Sequence, residues 1–418
     1  MKQVLQVSTR PVLHRRGAVA VAVALLLIPL LAFVAFCVDI GWITTTKSEL
    51  QNAADSSAAA GARQLVDNYG AYSLLNRQSL ITSAEQNAST YCTRFGGYNN
   101  AGGVASLQVL SGDIQFGFTD ANGNYQSSTT TSGYPNTVQV VTRRDASANS
   151  RLPLFFASVL GRRDTSLTAT ASATLYTGLI SSFDPYGGGE GAGSGLAAGD
   201  DYSVDGGGAG CGLLPVAFDV NVWNAFFATG QSSDGVVHTD ASGTPQIQVY
   251  PSPQQAPGNF GLLCIGPWTN ATPDYRNWIL NGPSASDLQS LSGSARFPVS
   301  EQSPKAWKGS PGLRDTLRSD FTAIIGQPRL LPLFKPASTT PYQAASGAGS
   351  NATYNIVGFV GVSVTSVTGS GGNMNISVQP CSVMDPAAVF DPATIYPAGA
   401  EPKSQLRSFT YVSSKFSR

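Results

Sequence analysis

The side chains that could carry out chemistry are few and scattered in this chain of 418 residues. Two histidines occur: His14 lies near the N-terminus, and His238 lies in a run that predicts a hairpin strand. Metal centres that need several histidines are therefore excluded. Glu301 and Asp315 could act together as a carboxylate pair in hydrolysis, but no meaningful spacing joins them. The sequence thus predicts no catalytic residue, no metal site and no cofactor.

The five cysteines are the remaining reactive groups, and they divide unequally. Cys37 lies inside an apolar run, where a thiol behaves as a small apolar residue. Cys92, Cys211, Cys264 and Cys381 follow that run, and none belongs to a Cys-x-x-Cys pair. Because four cysteines allow three pairings, the connectivity stays open. We expect at least one disulfide among them in an oxidising compartment, where each stabilises a fold by about 2–4 kcal/mol.

An uncharged apolar segment at residues 17–38 dominates the N-terminal part of the chain. Such a helix is roughly 30 Å long, which suffices to cross the hydrocarbon core of a bilayer. Four basic residues and no acidic residue precede it. We therefore expect residues 1–16 to be a cytoplasmic tail and the rest of the chain to be exported. A cleaved secretory signal is the alternative, but its apolar region would be shorter.

Past the apolar segment, a helical pattern continues with small side chains on one face. We call this face the small-residue stripe; its members are Ala53, Ala54, Ser57, Ala58 and Gly61. One long helix over residues 18–68 accounts for both patterns. Small side chains let helix backbones approach closely, so the stripe is predicted to dock against helices of partner proteins.

The exported part divides into modules by composition and periodicity. Residues 39–183 combine helical patterns with alternating strands, which predicts an α+β module. Residues 184–212 are rich in glycine and predict a flexible linker. Residues 213–384 carry short strand patterns and predict a β-rich extracytoplasmic module. Residues 385–418 contain several prolines and no periodicity, which predicts a flexible tail.

Individual elements are predicted at defined positions inside these modules. Helices are expected at residues 72–94, 152–160, 275–280 and 313–325. Strands are expected at residues 104–118, 137–142, 166–176, 214–220, 236–239, 246–250, 260–265, 329–334, 354–367 and 374–378. Lys+Arg and Asp+Glu number 25 each, so the chain offers no positive surface for nucleic acid. No nucleic-acid partner is therefore expected.

Four N-terminal segments together resemble the TadE/TadG-like family, the pseudopilin-like membrane components of the bacterial Flp (tight-adherence) pilus system. They are residues 15–22 (RRGAVAVA), 38–41 (VDIG), 50–55 (LQNAAD) and 58–62 (AAAGA). Residues 138–144, 152–161 and 167–174 are similar to the sequence that closes the family's first exported module. The resemblance covers nearly half of the chain and leaves the C-terminal half unassigned.

The resemblance implies a pilin-like first module and a non-enzymatic role in pilus assembly or secretion. It implies a single-pass protein of the bacterial inner membrane, whose partners are other pilus-assembly or Tad-like proteins. Prepilin-type processing would cut between Gly17 and Ala18, although Ala22 stands where processed pilins carry a glutamate. Two alternatives stay open: a membrane-anchored surface adhesin or binding protein, and an exported hydrolase that uses Glu301 and Asp315.

Overall fold

The structure is a computed structural model that describes sixteen parts of the chain. They are residues 16–66, 69, 75, 78–128, 133–183, 212–232, 234–250, 261–266, 271–292, 299–300, 303–311, 315–335, 352–370, 374–385, 388–402 and 405–417. The predicted cytoplasmic tail at residues 1–16 and the predicted linker at 184–212 lie almost entirely outside these parts.

One helix, α1 (Arg16–Leu65), begins the described chain and contains Pro29. Its first half exposes apolar side chains such as Leu26 and Phe33, whereas its second half is buried in the first module. By length and composition, α1 is apolar enough to cross a membrane. The prediction of one continuous helix through both patterns is confirmed.

In the first module, α1 and helix α2 (Gln78–Gly97) pack together on one antiparallel sheet. In spatial order, its strands are β2 (Tyr125–Ser127), β1 (Ile114–Thr119), β3 (Thr137–Arg144) and β6 (Leu167–Thr177). In the sequence, the segment between β3 and β6 forms a small two-stranded ribbon of β4 (Leu152–Pro153) and β5 (Asp164–Thr165). Strand β7 (Ile180–Phe183) follows. The predicted α+β class is confirmed.

The small-residue stripe lies at the centre of this module, buried against α2 and the sheet. A β-carbon built at Gly61 would lie 2.3 Å from Sγ of Cys92 and 3.3 Å from Cγ1 of Val138. Only a glycine permits such an approach. The prediction that the stripe docks onto partner helices is therefore corrected, because the chain's own α2 already covers it.

The second module is built around the long strand β14 (Thr353–Thr368), which pairs with three neighbouring strands. The other strands are β8 (Phe218–Asp219), β9 (His238–Thr239), β10 (Pro245–Tyr250), β11 (Gly261–Leu263), β12 (Lys305–Pro311), β13 (Pro328–Phe334) and β15 (Asn375–Pro380). The helices are α3 (Val220–Thr229), α4 (Thr272–Asn281), α5 (Ala285–Ser292) and α6 (Arg318–Ala323). Their apolar faces share one core that includes Trp223, Trp307 and Phe359.

Residues 385–418 differ most from the sequence-based expectation, because they form strands where we predict a flexible tail. These are β16 (Ala388–Phe390), β17 (Tyr396–Pro397) and β18 (Tyr411–Ser417). Strand β16 pairs with β7, and β17 and β18 pair with β6. The end of the chain thus completes the sheet of the first module. Backbone hydrogen bonds carry this pairing, so no apolar periodicity is needed to specify it.

Several local predictions also change. Residues 214–220 form β8 and the start of α3, whose N-terminus is capped by the Asp219 carboxylate accepting from Asn221 N (2.8 Å). A short apolar run fits a strand or a buried helix equally, and tertiary packing decides. The predicted helix at 152–160 is β4 plus a 3-10 turn at Ala157–Leu160. Of the predicted strand at 104–118, only β1 forms.

The close contact at Gly61 generates a stability prediction. Gly61→Ala forces the new methyl group against Cys92 and Val138, so we expect a loss of about 1–3 kcal/mol in the free energy of unfolding. Gly41→Ala is the matched control on the same helix, since a β-carbon there meets nothing within 4 Å. It should be neutral or stabilising by up to about 1 kcal/mol. Denaturant unfolding of the full chain in micelles measures both, and equal effects would contradict this packing.

Candidate functional site

Two distant segments of the chain meet at Asp39, just past the apolar half of α1. The Asp39 carboxylate accepts hydrogen bonds from the backbone N–H groups of Phe155 (2.8 Å), Phe156 (3.1 Å) and Ala157 (2.6 Å). Asp39 is only 4% exposed to solvent. We call these four residues the Asp39 junction. Because the partners lie more than a hundred positions apart in the chain, a single side chain fixes the β4–β5 ribbon to the long helix.

The local fold of the ribbon presents these three N–H groups together. They open the 3-10 turn Ala157–Leu160, and the first N–H groups of a helical turn have no partner within it. Gly161 ends the turn with φ of 84°, a left-handed value that favours glycine. Backbone hydrogen bonds from Leu154 to Arg163 (2.9 Å) and from Arg162 to Ala157 (3.0 Å) close the loop. The ribbon tip is therefore a defined structure.

A buried arginine supports the base of the ribbon. The Arg144 guanidinium donates to the carbonyl oxygens of Ala101 (2.8 Å) and Ser150 (3.0 Å). The neighbouring N–H of Gly102 donates to the Glu49 carboxylate on α1 (2.7 Å). Desolvation lowers the pKa of Arg144. A second set of polar contacts thus links the ribbon to α1, and it reaches the helix at Glu49, beyond Asp39 in the chain.

The Asp39 carboxylate is ionised at neutral pH. Burial raises the pKa of Asp39, but the hydrogen bonds from Ala157, Phe155 and Phe156 lower it, and the lowering prevails. The contribution of Asp39 to stability is therefore present above its unfolded-state pKa and is lost as pH falls through the lower folded-state value. With three amides bound, the carboxylate positions backbone and does not serve as a free general base.

Aromatic and apolar side chains surround the Asp39 junction. Trp42 on α1 packs against Phe155, with ring centroids 5.9 Å apart. Phe155, Phe156 and Val159 nevertheless keep large exposed surfaces. The arrangement joins helix α1 to the tip of the ribbon through hydrogen bonds and one aromatic contact.

The cysteines predicted to form disulfides are placed as follows. Cys92 is a free, fully buried thiol between α1 and α2, and burial raises its pKa to about 12. A thiol with so high a pKa is mostly protonated at neutral pH. Cys264 lies with Sγ 3.1 Å from the Tyr275 hydroxyl, and Cys381 follows β15. Cys211 lies outside the described residues, and a disulfide among the four cysteines stays a prediction.

Of the residues considered for hydrolysis, the two that the structure describes, Asp315 and His238, lie on separate elements of the second module. Glu301 lies outside the described residues, and Asp315 is exposed in a 3-10 turn. His238 lies 2.6 Å from the Asp234 carboxylate on the hairpin that the sequence predicts. In the described part of the chain, no group of three or more His, Cys, Asp or Glu side chains could hold a metal ion.

The predicted processing position is described only by its backbone. Gly17 and Ala18 lie in the first turn of α1, and processing between them stays a prediction. Asp39, by contrast, lies in segment 38–41 of the family resemblance, and the sequence alone does not indicate its contacts. The available signal was a lone acidic residue directly after an uncharged apolar run. Its partners at residues 155–157 carry no such signal, because they bind through backbone atoms.

The region that contains the Asp39 junction is similar to two protein-family models. Residues 17–64 match the Flp pilus-assembly TadE/G-like family model, and residues 45–173 match the Tad-like Flp pilus-assembly family model. No curated protein matches the chain, and no solved structure matches it either. Both sides of the Asp39 junction lie within the matched residues.

The Asp39 junction predicts a local change in amide protection. Asp39→Asn removes the charge and one acceptor oxygen, so the amides of Phe155 to Ala157 should exchange faster, on the order of tenfold. Hydrogen exchange measured by mass spectrometry reads this directly. The advantage of wild type over the variant should shrink as pH falls below about 3.9, the ordinary pKa of an aspartate, and vanish only below the lower folded-state pKa of Asp39.

Asp120→Asn is the matched control for this experiment. Its carboxylate accepts from the N–H groups of Asn122 (2.9 Å) and Asn124 (2.8 Å) in a distant turn. The control should alter exchange there and leave residues 155–157 unchanged. Unchanged exchange at 155–157 in Asp39→Asn would show that the Asp39 junction does not hold the ribbon.

Proposed function

Residues 17–173 are a TadE/TadG-like region of the Flp pilus-assembly type, and from this we propose that the protein is a non-enzymatic, membrane-anchored component of a bacterial Flp/Tad pilus assembly or secretion apparatus. The observation that carries the proposal is the continuity of α1. One helix joins an exposed apolar half to a half that forms the core of the family-matched module. The module therefore cannot move independently of its anchor.

The proposed topology is a single pass through the inner membrane with the N-terminus inside. The four basic residues before Gly17 support this orientation through the positive-inside bias. The exposed apolar half of α1 supports the span, since its side chains have no protein neighbours to bury them. The modules after Asp39 then lie outside the cytoplasm.

The partners are proposed to be other pilus-assembly or Tad-like proteins in or on the same membrane. The burial of the small-residue stripe removes it as a binding surface. Among the described residues, the exposed apolar half of α1 remains available for partners.

The topology prediction tests the anchor. A reporter fused after Arg418 should be active outside the cytoplasm, and the full chain should stay in the membrane fraction through carbonate extraction. As a control, exchanging Leu26 and Phe33 for aspartate places charges in the apolar half and should release the protein. Extraction of the unchanged protein, or a reporter active only in the cytoplasm, would contradict the anchor.

A deletion strain tests the role in assembly. The strain should lack Flp/Tad-type pili, and expression of the full chain should restore them. The structure also allows a precise removal of the second module, because Phe183 of β7 pairs with Ala388 of β16. Residues 184–387 can therefore be replaced by a two-residue Asn-Gly hairpin turn that keeps β16, β17 and β18. A chain truncated after Phe183 is the matched control without these strands.

These two variants separate folding from function. The hairpin-closed chain should be more abundant in the membrane than the truncated chain, because the β6 edge of the truncated chain lacks β18. We expect neither to restore pili, since the second module is proposed to be required. Normal piliation with lost surface attachment in the deletion strain would refute the assembly role and favour the adhesin alternative.

A further inference from the structure

The tip of the β4–β5 ribbon exposes more apolar surface than any structural role requires. Phe155 is 60% exposed, Phe156 46% and Val159 85%. These three side chains lie within one closed loop whose backbone is fixed on both sides of the 3-10 turn. Clustered exposed apolar side chains on a rigid loop mark a surface that contacts another protein or a membrane.

The Asp39 junction sets the height of this tip along α1. The apolar part of α1 that exposes its side chains runs from Val21 to Val38, and at the helical rise it is about 27 Å long. Asp39 holds the ribbon tip at the end of this length. A bilayer that surrounds the apolar part has a hydrocarbon core of about 30 Å, so its outer boundary falls at the tip.

The apolar surface of the tip is continuous with that of the helix. Val38 and Ile40 are exposed on α1 beside the Asp39 junction, and the Trp42 ring contacts Phe155. Tryptophan is enriched where a membrane-spanning helix leaves the hydrocarbon, because its ring is apolar and its N–H is polar. The side chains of the helix and the tip therefore offer one surface to one bilayer.

Basic side chains flank the tip on the side of the ribbon. Arg151, Arg162 and Arg163 line an open cleft together with the single acid Asp164, which lies 3.4 Å from Arg151. Arg162 and Arg163 are exposed and immediately follow the 3-10 turn. Arginine binds phosphate through several N–H donors, and such groups above an apolar tip fit an anionic headgroup.

We propose that residues 151–163 form a second, peripheral contact with the membrane that α1 spans. The side chains of Phe155, Phe156 and Val159 enter the boundary between headgroups and acyl chains of the outer leaflet. Arg162 and Arg163 bind the phosphates of anionic lipids at the same place. This inference rests on the proposed membrane anchoring. Its consequence is that the first module is fixed in tilt and rotation, because two contacts with the bilayer replace one.

Depth measurements on the full chain in lipid nanodiscs test the proposal. A nitroxide label is placed at Val159→Cys in a Cys37→Ala background, and the signal of the parent background is subtracted. Power saturation compares access of lipid-soluble oxygen with access of a water-soluble nickel complex. Two further labels are controls: Val34→Cys reports on the anchor, and Asn122→Cys lies on an exposed turn of the first module. The discs contain phosphatidylcholine with or without about one-third phosphatidylglycerol.

The label at position 159 should be oxygen-accessible at a depth of about 5–10 Å, and the label at position 122 should remain aqueous. Phosphatidylglycerol should deepen the label at 159, and Arg162→Gln with Arg163→Gln should abolish that deepening. An aqueous label at 159 beside a lipid-embedded label at 34 would overturn this inference and leave the anchor intact. Aqueous labels at both positions would refute the lipid contact of the tip and the membrane anchor.

Two other results would also overturn the lipid contact. A response at position 159 to inorganic phosphate at constant ionic strength, without phosphatidylglycerol, would mark a site for a free anion. Crosslinking of Val159→Cys to another protein in cells, combined with an aqueous label in nanodiscs, would mark a protein interface.

Discussion

Helix α1 exposes apolar side chains along its first half and packs into the first module along its second half, and Asp39 lies where the two halves meet. The backbone hydrogen bonds of a helix are internal in either surrounding, so only the side chains distinguish the two halves. A buried carboxylate at this boundary needs donors, and the first N–H groups of a 3-10 turn need acceptors. The contacts with Phe155, Phe156 and Ala157 meet both needs at once. The ribbon, its tip and the orientation of the first module all depend on this contact.

The features that could be predicted from the sequence are those whose cause is local. The apolar run, the small-residue stripe and the alternation in β6 each show a period that follows from helix or strand geometry. The hairpin between β9 and β10 follows from turn residues around Asp240, whose carboxylate accepts from Ser242 N (2.9 Å) and Thr244 N (2.9 Å). In each case the signal and the structure lie within a few residues of one another.

The remaining features depend on contacts between distant parts of the chain. The stripe predicts close packing, but its sequence does not reveal that Cys92 and Val138 of the same chain supply the partner surface. Likewise, Asp39 is visible as a lone acid, while its partners are backbone groups that any residue provides. Strand β18 pairs through its backbone with the edge of β6, so Lys415 and its serine neighbours show no apolar pattern.

The returning strands make the second module an insertion within the first. Strands β7 and β16 are antiparallel neighbours, so the two ends of the insertion leave the first module side by side. Tyr69 links the cores, with its ring 5.3 Å from Tyr134 and 6.0 Å from Phe409. Strand β6 is bonded to β3 on one edge and to β18 on the other, so the sheet is complete only when β18 has paired. The core of the second module in turn includes Phe183, Ala388 and Phe409, so the packing of the inserted module depends on the segments that carry it.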